Sequence, residues 1–233
     1  MRNIINFDII SDLNLHPGEE FNWKNNVTSL YCIIAGNISD DIKTVAKVLF
    51  HLSTIYQGVF FVPGYLEYDN TFNFAERTRE LAIIADNIKN VVFLYNNIVT
   101  IDGIGILGSN GWGNILNNTE PKTLLMNVSK YQDYVYLEAS LKKLQRYPDI
   151  KKIVIVTSAV PREDLYFGEK PDNIIDNMPL VNILVEDTEK KVVTWVFGTY
   201  KKPVDVFLDS VNYISNPKTQ DLPYHSKRIK ISI

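Results

Sequence analysis

Short runs rich in Ile and Val alternate along this chain with longer stretches whose apolar residues recur at helical spacing, and this alternation limits the fold more than any other feature. Residues 4–10, 30–35, 59–62, 91–94, 104–107, 153–157 and 192–197 read as buried strands. Residues 40–56, 72–87 and 128–145 carry the helical pattern; in the second, Phe74, Leu81, Ile84 and Ile88 share one face at steps of seven, three and four. Strand followed by helix followed by strand predicts an α/β layered sheet with crossover connections. After residue 200 the helices stop. Residues 204–208, 211–215 and 229–233 read as strands, with Asp209-Ser210 as a hairpin turn that lacks the favoured glycine. No repeat or linker interrupts the pattern, so one domain over 1–233 is expected.

Composition excludes several classes. With 45% apolar and 22% charged residues the chain is globular rather than disordered. A net charge of -3 disfavours nucleic acid or an anionic membrane as a partner held by bulk charge. Cys32 is the single cysteine, which rules out an internal disulfide and a thiolate zinc cluster. The first residues include an early acid, Asp8, and do not resemble a signal peptide, and no apolar run is long enough to span a bilayer. A soluble, cytoplasmic protein is expected. The 23 asparagines are dispersed and reflect AT-rich coding, as in a low-GC bacterium, a phage or another virus, rather than an aggregating tract.

In open α/β sheets, ligands sit outside the carboxyl ends of the strands. Here those ends read Ser11-Asp12-Leu13-Asn14, Ala35-Gly36-Asn37-Ile38-Ser39-Asp40-Asp41, Val62-Pro63-Gly64-Tyr65-Leu66-Glu67, Gly108-Ser109-Asn110-Gly111-Trp112, Thr157-Ser158-Ala159-Val160-Pro161 and Gly198-Thr199-Tyr200-Lys201-Lys202-Pro203. Taken in order, they resemble the calcineurin-like metallophosphoesterases, whose blocks read D-x-H, G-D-x-x-D, G-N-H-E, a lone His after a later strand, and G-H-x-H. The resemblance implies a β-sandwich flanked by helices, with the site at one edge of the sandwich.

It also implies where the chemistry has changed. The family's seven metal-binding side chains map onto Asp12, Asn14, Asn37, Tyr65, Ser158, Thr199 and Lys201, and among these only Asp12 is the family's residue. The bridging aspartate has become Asn37, which has lost the charge that holds two cations ~3.5–4 Å apart. Four imidazoles have become Asn14, Ser158, Thr199 and Lys201; neutral oxygens are poor ligands for transition metals by comparison. Leu66 stands where the family has a histidine associated with leaving-group protonation, and it has no proton to give.

The three histidines do not rebuild the site: His16 reads as a surface residue, His51 as structural or exposed on a helix, and His225 as part of a polar tail. Asp40 reads as a helix cap or first-turn acid and Glu67 as an acceptor for the loop backbone. Lys201, Lys202, Lys218, Lys227, Arg228 and Lys230 read as a solvated face before they read as a phosphate site. Gly103, Gly105, Gly108, Gly111 and Gly113 lack the spacing of a dinucleotide fingerprint. Trp112 and Tyr65 are better assigned to packing than to stacking a base.

The expectation is a pseudoenzyme that needs no metal or other cofactor and binds a protein partner or a small phosphate-bearing ligand. The alternative is a weak phosphodiesterase or phosphatase with a rebuilt single-metal site. Two structural expectations follow. Tyr65 or Leu66 should fill part of the former substrate space, and Lys201 should pair with Asp12 in place of the lost metal.

Overall fold

The computed structural model describes residues 4–71, 73–112, 114–115, 121–168, 174–175, 179–219 and 224–233. Phe72 and Gly113 lie outside the described residues. Thirteen strands are present in these segments: β1 (Ile4–Ile10), β2 (Tyr31–Ala35), β3 (Gly58–Val62), β4 (Val91–Phe93), β5 (Asn97–Ile101), β6 (Ile104–Ser109), β7 (Asn114–Ile115), β8 (Lys152–Thr157), β9 (Ile174–Ile175), β10 (Val192–Phe197), β11 (Val204–Leu208), β12 (Val211–Ser215) and β13 (Arg228–Ser232). The helices are α1 (Ile42–Ser53), α2 (Phe74–Asp86) and α3 (Pro121–Gln145).

Two mixed sheets form, ordered β13-β1-β2-β3-β4 and β11-β12-β10-β8-β6-β5. Their facing sides share one apolar layer, with Phe7, Ile9, Ile33 and Phe60 from the first sheet against Ile106, Val154, Val196 and Ile214 from the second. The outer face of the first sheet buries Ile34, Val59 and Phe61 under Val45, Leu49 and Leu52 of α1 and Leu81 and Ala85 of α2. The outer face of the second packs Ile153, Ile155 and Trp195 against Leu137, Leu141 and Leu144 of α3 and Ile183. The expected α/β sandwich flanked by helices is therefore present. Strands covered on both faces explain the near-continuous Ile/Val runs.

Local chemistry accounts for the element boundaries. Asp41, rather than Asp40, caps α1: its Oδ2 accepts the Thr44 N–H at 3.0 Å, while Asp40 accepts from the Asn70 amide. Asn73 caps α2 through the Glu76 N–H. The turn at Asp209-Ser210 is a two-residue hairpin with both residues at positive φ, +48° and +70°, the geometry that normally selects glycine. A second hairpin, β5–β6, turns at Asp102-Gly103 and is absent from the sequence reading, although Asp-Gly is a favoured pair for such a turn. Helix α3 begins at Pro121, seven positions before the expected start at 128. Its first turns are apolar on more than one face, which blurs the periodicity.

Candidate functional site

The parallel strands β1, β2, β3, β8 and β10 end at one pole, where their following loops converge. Glycine makes the convergence possible. A Cβ on Gly64 would lie 2.5 Å from both the backbone N and the Oδ1 of Asn37, and one on Gly198 would lie 2.1 Å from the Ala35 carbonyl oxygen. No larger residue fits either place without moving a neighbouring loop.

Glu67 ties two of these loops together. Its buried carboxylate accepts backbone N–H groups from Asn37 (3.1 Å), Ile38 (2.5 Å), Ser39 (3.3 Å) and Gly64 (2.5 Å). Burial raises its pKa, and the four amides oppose that rise. Its expected role as acceptor for the loop backbone is what the geometry gives.

Asp12, Asn14, Asn37 and Thr199 all adopt left-handed backbone conformations, with φ between +48° and +58°. Asp and Asn tolerate this region; a β-branched threonine at +58° is an outlier held by its surroundings. The Thr199 N–H donates to Asp12 Oδ1 at 2.8 Å and its hydroxyl donates to the Ser158 carbonyl at 2.6 Å. Asn37 Nδ2 donates to Asp12 Oδ1 (2.7 Å) and to Thr199 Oγ1 (3.2 Å), while Asn37 Oδ1 accepts the Leu66 N–H (2.9 Å). That last bond sets the amide orientation, so the NH2 group faces the carboxylate. Asn14 Nδ2 folds back onto the Asp12 carbonyl at 2.9 Å, and Ser158 Oγ donates to the Asn110 carbonyl at 3.0 Å.

Asp12 is thus left half-satisfied. Its Oδ2 is buried without a hydrogen-bond partner. Burial is the main cause of a pKa raised to about 7, against which the bonds from Asn37 and Thr199 work only in part.

A cavity of about 580 Å³ opens beside this cluster, lined by Asp12, Asn14, Asn37, Thr199 to Lys201 and Pro217 to Thr219. Five of the eight expected site residues therefore share one cavity. Ser158 lies behind it, fully buried, and neither Tyr65 nor Leu66 lines it. Tyr65 is 37% exposed and Leu66 half-buried. The loop bonds to Glu67 and Asn37 hold this turn to the side of the cavity, which neither side chain fills.

The expected Asp12–Lys201 salt bridge is corrected. Among the described residues Lys201 forms no ion pair; it is exposed on the cavity rim, and Asp12 spends its one paired oxygen on an amide and a backbone N–H. Burial favours protonation of Asp12 over recruitment of an ammonium that would itself have to be desolvated.

The basic residues divide between places. Lys218 reaches the same cavity, paired with Glu19 at 2.5 Å and 5.6 Å from the centre of the Tyr224 ring. Arg228 and Lys230 line a separate cavity on β13, and Lys227 pairs with Asp205. His51 is structural, its Nε2 accepting the Trp23 N–H, and its pKa is lowered by burial first and nearby Lys24 second. Trp112 is buried edge-to-face against Tyr68 and Phe74, so packing is its use.

The donor set does not fit a pair of divalent cations. One carboxylate oxygen is available, an amide N–H occupies the bridging direction, and the hydroxyl of Thr199 is committed to a carbonyl. Among the described residues no three His, Cys, Asp or Glu side chains come together as a metal cluster.

No family model matches the sequence. A relative, the uncharacterized protein L509 of Acanthamoeba polyphaga mimivirus, is 22% identical over 81% of this chain and 82% of its own length. Among solved structures, phosphopantetheinyl hydrolase from Mycobacterium tuberculosis superposes with a TM-score of 0.58 at 15% identity, covering 91% of this chain and 89% of that one. GAP50, described as the anchor in the inner membrane complex of Plasmodium, superposes at 0.57 and 10% identity, covering 92% and 72%. The likeness is one of fold, and it agrees with the phosphoesterase-like sandwich that the loop motifs imply. No helix among the described residues is long and apolar enough to cross a membrane.

Proposed function

We propose that this chain is a pseudoenzyme: a phosphoesterase-like sandwich whose metal chemistry has been replaced by a hydrogen-bonded cluster, and whose open cavity binds a small phosphate-bearing ligand. The observation that carries the reading is the Asn37 amide, turned N–H first toward Asp12 at 2.7 Å. Phosphoester hydrolysis on this scaffold relies on metal to generate the nucleophile and to neutralise charge on the phosphoryl oxygens. A donor at the bridging position, one half-bonded carboxylate and neutral side chains at Asn14, Ser158 and Thr199 generate no nucleophile.

The rim supports the binding half of the proposal. Lys201 and Lys218, the latter paired with Glu19, line a cavity large enough for a nucleotide-sized ligand, and Asn14 adds a polar group to its wall. That GAP50 is described as an anchor is in keeping with a binding role on this fold.

The test has two parts. Protein purified without chelator should contain no stoichiometric transition metal, and Mn-supplemented assays on simple phosphodiesters should give no turnover. Mn-dependent turnover abolished by Asp12→Ala would overturn the pseudoenzyme reading in favour of a rebuilt single-metal site. A thermal-shift series with inorganic phosphate and nucleotides should then raise the Tm of the wild type and not of Lys201→Ala. A protein partner becomes the better reading if no phosphate compound shifts the wild type.

A further inference from the structure

Over its first half helix α3 is apolar on two sides, and among the described residues only one of them is packed into a core. Its inner face carries Met126, Leu137, Leu141 and Leu144 into the cores of the molecule. The opposite side presents Leu124, Val128, Tyr131 and Val135, which are 56%, 57%, 61% and 44% exposed. A second apolar stripe on the side away from the core is a surface that another molecule can cover. Together with Leu125, the stripe exposes on the order of 400–500 Å² of apolar surface, the size of the largest patch on a monomer, which is often a functional one.

Spacing identifies the occupant. Positions 124, 128, 131 and 135 follow steps of four, three and four, the seam that one helix offers to another. That order reads the same from either end. Two copies of α3 laid antiparallel across a two-fold axis near residues 129–130 therefore bring Leu124 against Val135 of the second copy, and Val128 against Tyr131. A closed two-fold interface requires this kind of self-complementarity. Parallel pairing would instead stack Lys142 on its own copy, because it continues the same exposed side.

The ground beside the stripe is also prepared. A cavity of about 840 Å³ between α2 and α3 is lined by Phe74, Ala75, Thr78, Tyr95, Leu125 and Val128. Val128 belongs to both features, so the Tyr131 ring of the second copy, opposite Val128, falls at the cavity mouth. The stripe supplies an apolar centre and the cavity walls enlarge it toward the ~800 Å² per partner of a standard interface. The positions flanking the seam over these turns, Asn127, Ser129 and Gln132, carry no charge that would oppose association.

We propose that this chain forms a two-fold dimer through antiparallel packing of α3, with Val128 and Tyr131 at its centre. The proposal concerns a face distinct from the cavity lined by Asp12 and Lys201 and does not depend on what that cavity binds.

Sedimentation equilibrium of the full chain should give a dimer at micromolar concentration, and Val128→Glu should weaken association at least tenfold with the circular dichroism spectrum unchanged. Tyr131→Lys serves as the second variant if Val128→Glu does not fold. A wild type that is monomeric to about 100 μM, or a dimer indifferent to a folded seam variant, overturns the proposal. Cysteine cross-linking then reads the direction, since the native Cys32 is buried. A mixture of Leu124→Cys and Val135→Cys chains should cross-link between the two variants under mild oxidation, because like positions of an antiparallel pair then lie about 16 Å apart along the helix axis. Efficient cross-linking of either variant with itself would mean parallel pairing and would refute the antiparallel form.

Discussion

Asp8 on β1 and Asp12 just beyond its end are both buried, four residues apart, in opposite surroundings. Asp8 accepts five hydrogen bonds: from the backbone N–H and hydroxyl of Thr28, the backbone N–H and hydroxyl of Ser29, and the Tyr56 hydroxyl, which in turn accepts from Trp23 Nε1. Asp12 has one oxygen bonded twice and the other not at all. Glu67, with four backbone amides, belongs with Asp8. A carboxylate that holds the fold together is surrounded by donors, because an unpaired buried charge is costly. Asp12, the one buried carboxylate left incomplete among the described residues, lies at the pole where a ligand can reach the cluster around it.

The largest effect that this comparison predicts is for Asp8→Ala. It strands two backbone N–H groups and three hydroxyls, and should lower stability by about 3–5 kcal/mol in urea unfolding. Asp12→Ala should cost much less; equal losses would break the distinction. The second effect is a pH dependence. Asp12 titrates near 7 in the folded chain against an ordinary value of 3.8, so between those values the folded state keeps a proton that the unfolded chain has released. Stability attributable to this group should therefore be full below about pH 4, fall as pH rises through 7, and level off above it, by about 2–4 kcal/mol in all. Asp12→Asn should flatten that slope when unfolding free energies are measured across the range.

Glu67→Gln sharpens the comparison from the other side. It turns an NH2 group toward amides that need an acceptor, and should cost about 1–3 kcal/mol. Because Glu67 positions Asn37, the variant should also weaken whatever phosphate binding the wild type shows in a thermal-shift series. The smallest effect is for Lys201→Ala. Without a salt bridge to Asp12 it should change stability by no more than about 0.5 kcal/mol. A loss above 2 kcal/mol in the same unfolding measurement would restore the ion pair that the geometry denies.

Much of the architecture was legible because it rests on local pattern. Every expected strand run overlaps an observed strand, and the turn at Asp209-Ser210 follows from neighbouring residues. The β5–β6 hairpin was missed although Asp102-Gly103 signals it, since β5, unlike the buried β6, is exposed or half-buried along its length and does not read as a buried run. The start of α3 was missed because its first turns have apolar residues on two faces, and period alone does not tell a core face from a docking face.

At the candidate site the sequence by itself determined which residue types stand at the strand ends, and hence that imidazoles are missing from the positions where the resemblance places ligands. Which way each side chain turns was decided only in the tertiary structure. Asp12 meets the Thr199 amide across 187 positions of chain, and the Asn37 carboxamide is oriented by a Leu66 N–H that Glu67 and Gly64 place. Hydrogen-bond pairing and desolvation are properties of groups gathered from five strands. For that reason a charge-for-metal exchange between Lys201 and Asp12, which the resemblance implied, gives way to a buried carboxyl whose pKa is lifted by the low-polarity setting the fold builds around it.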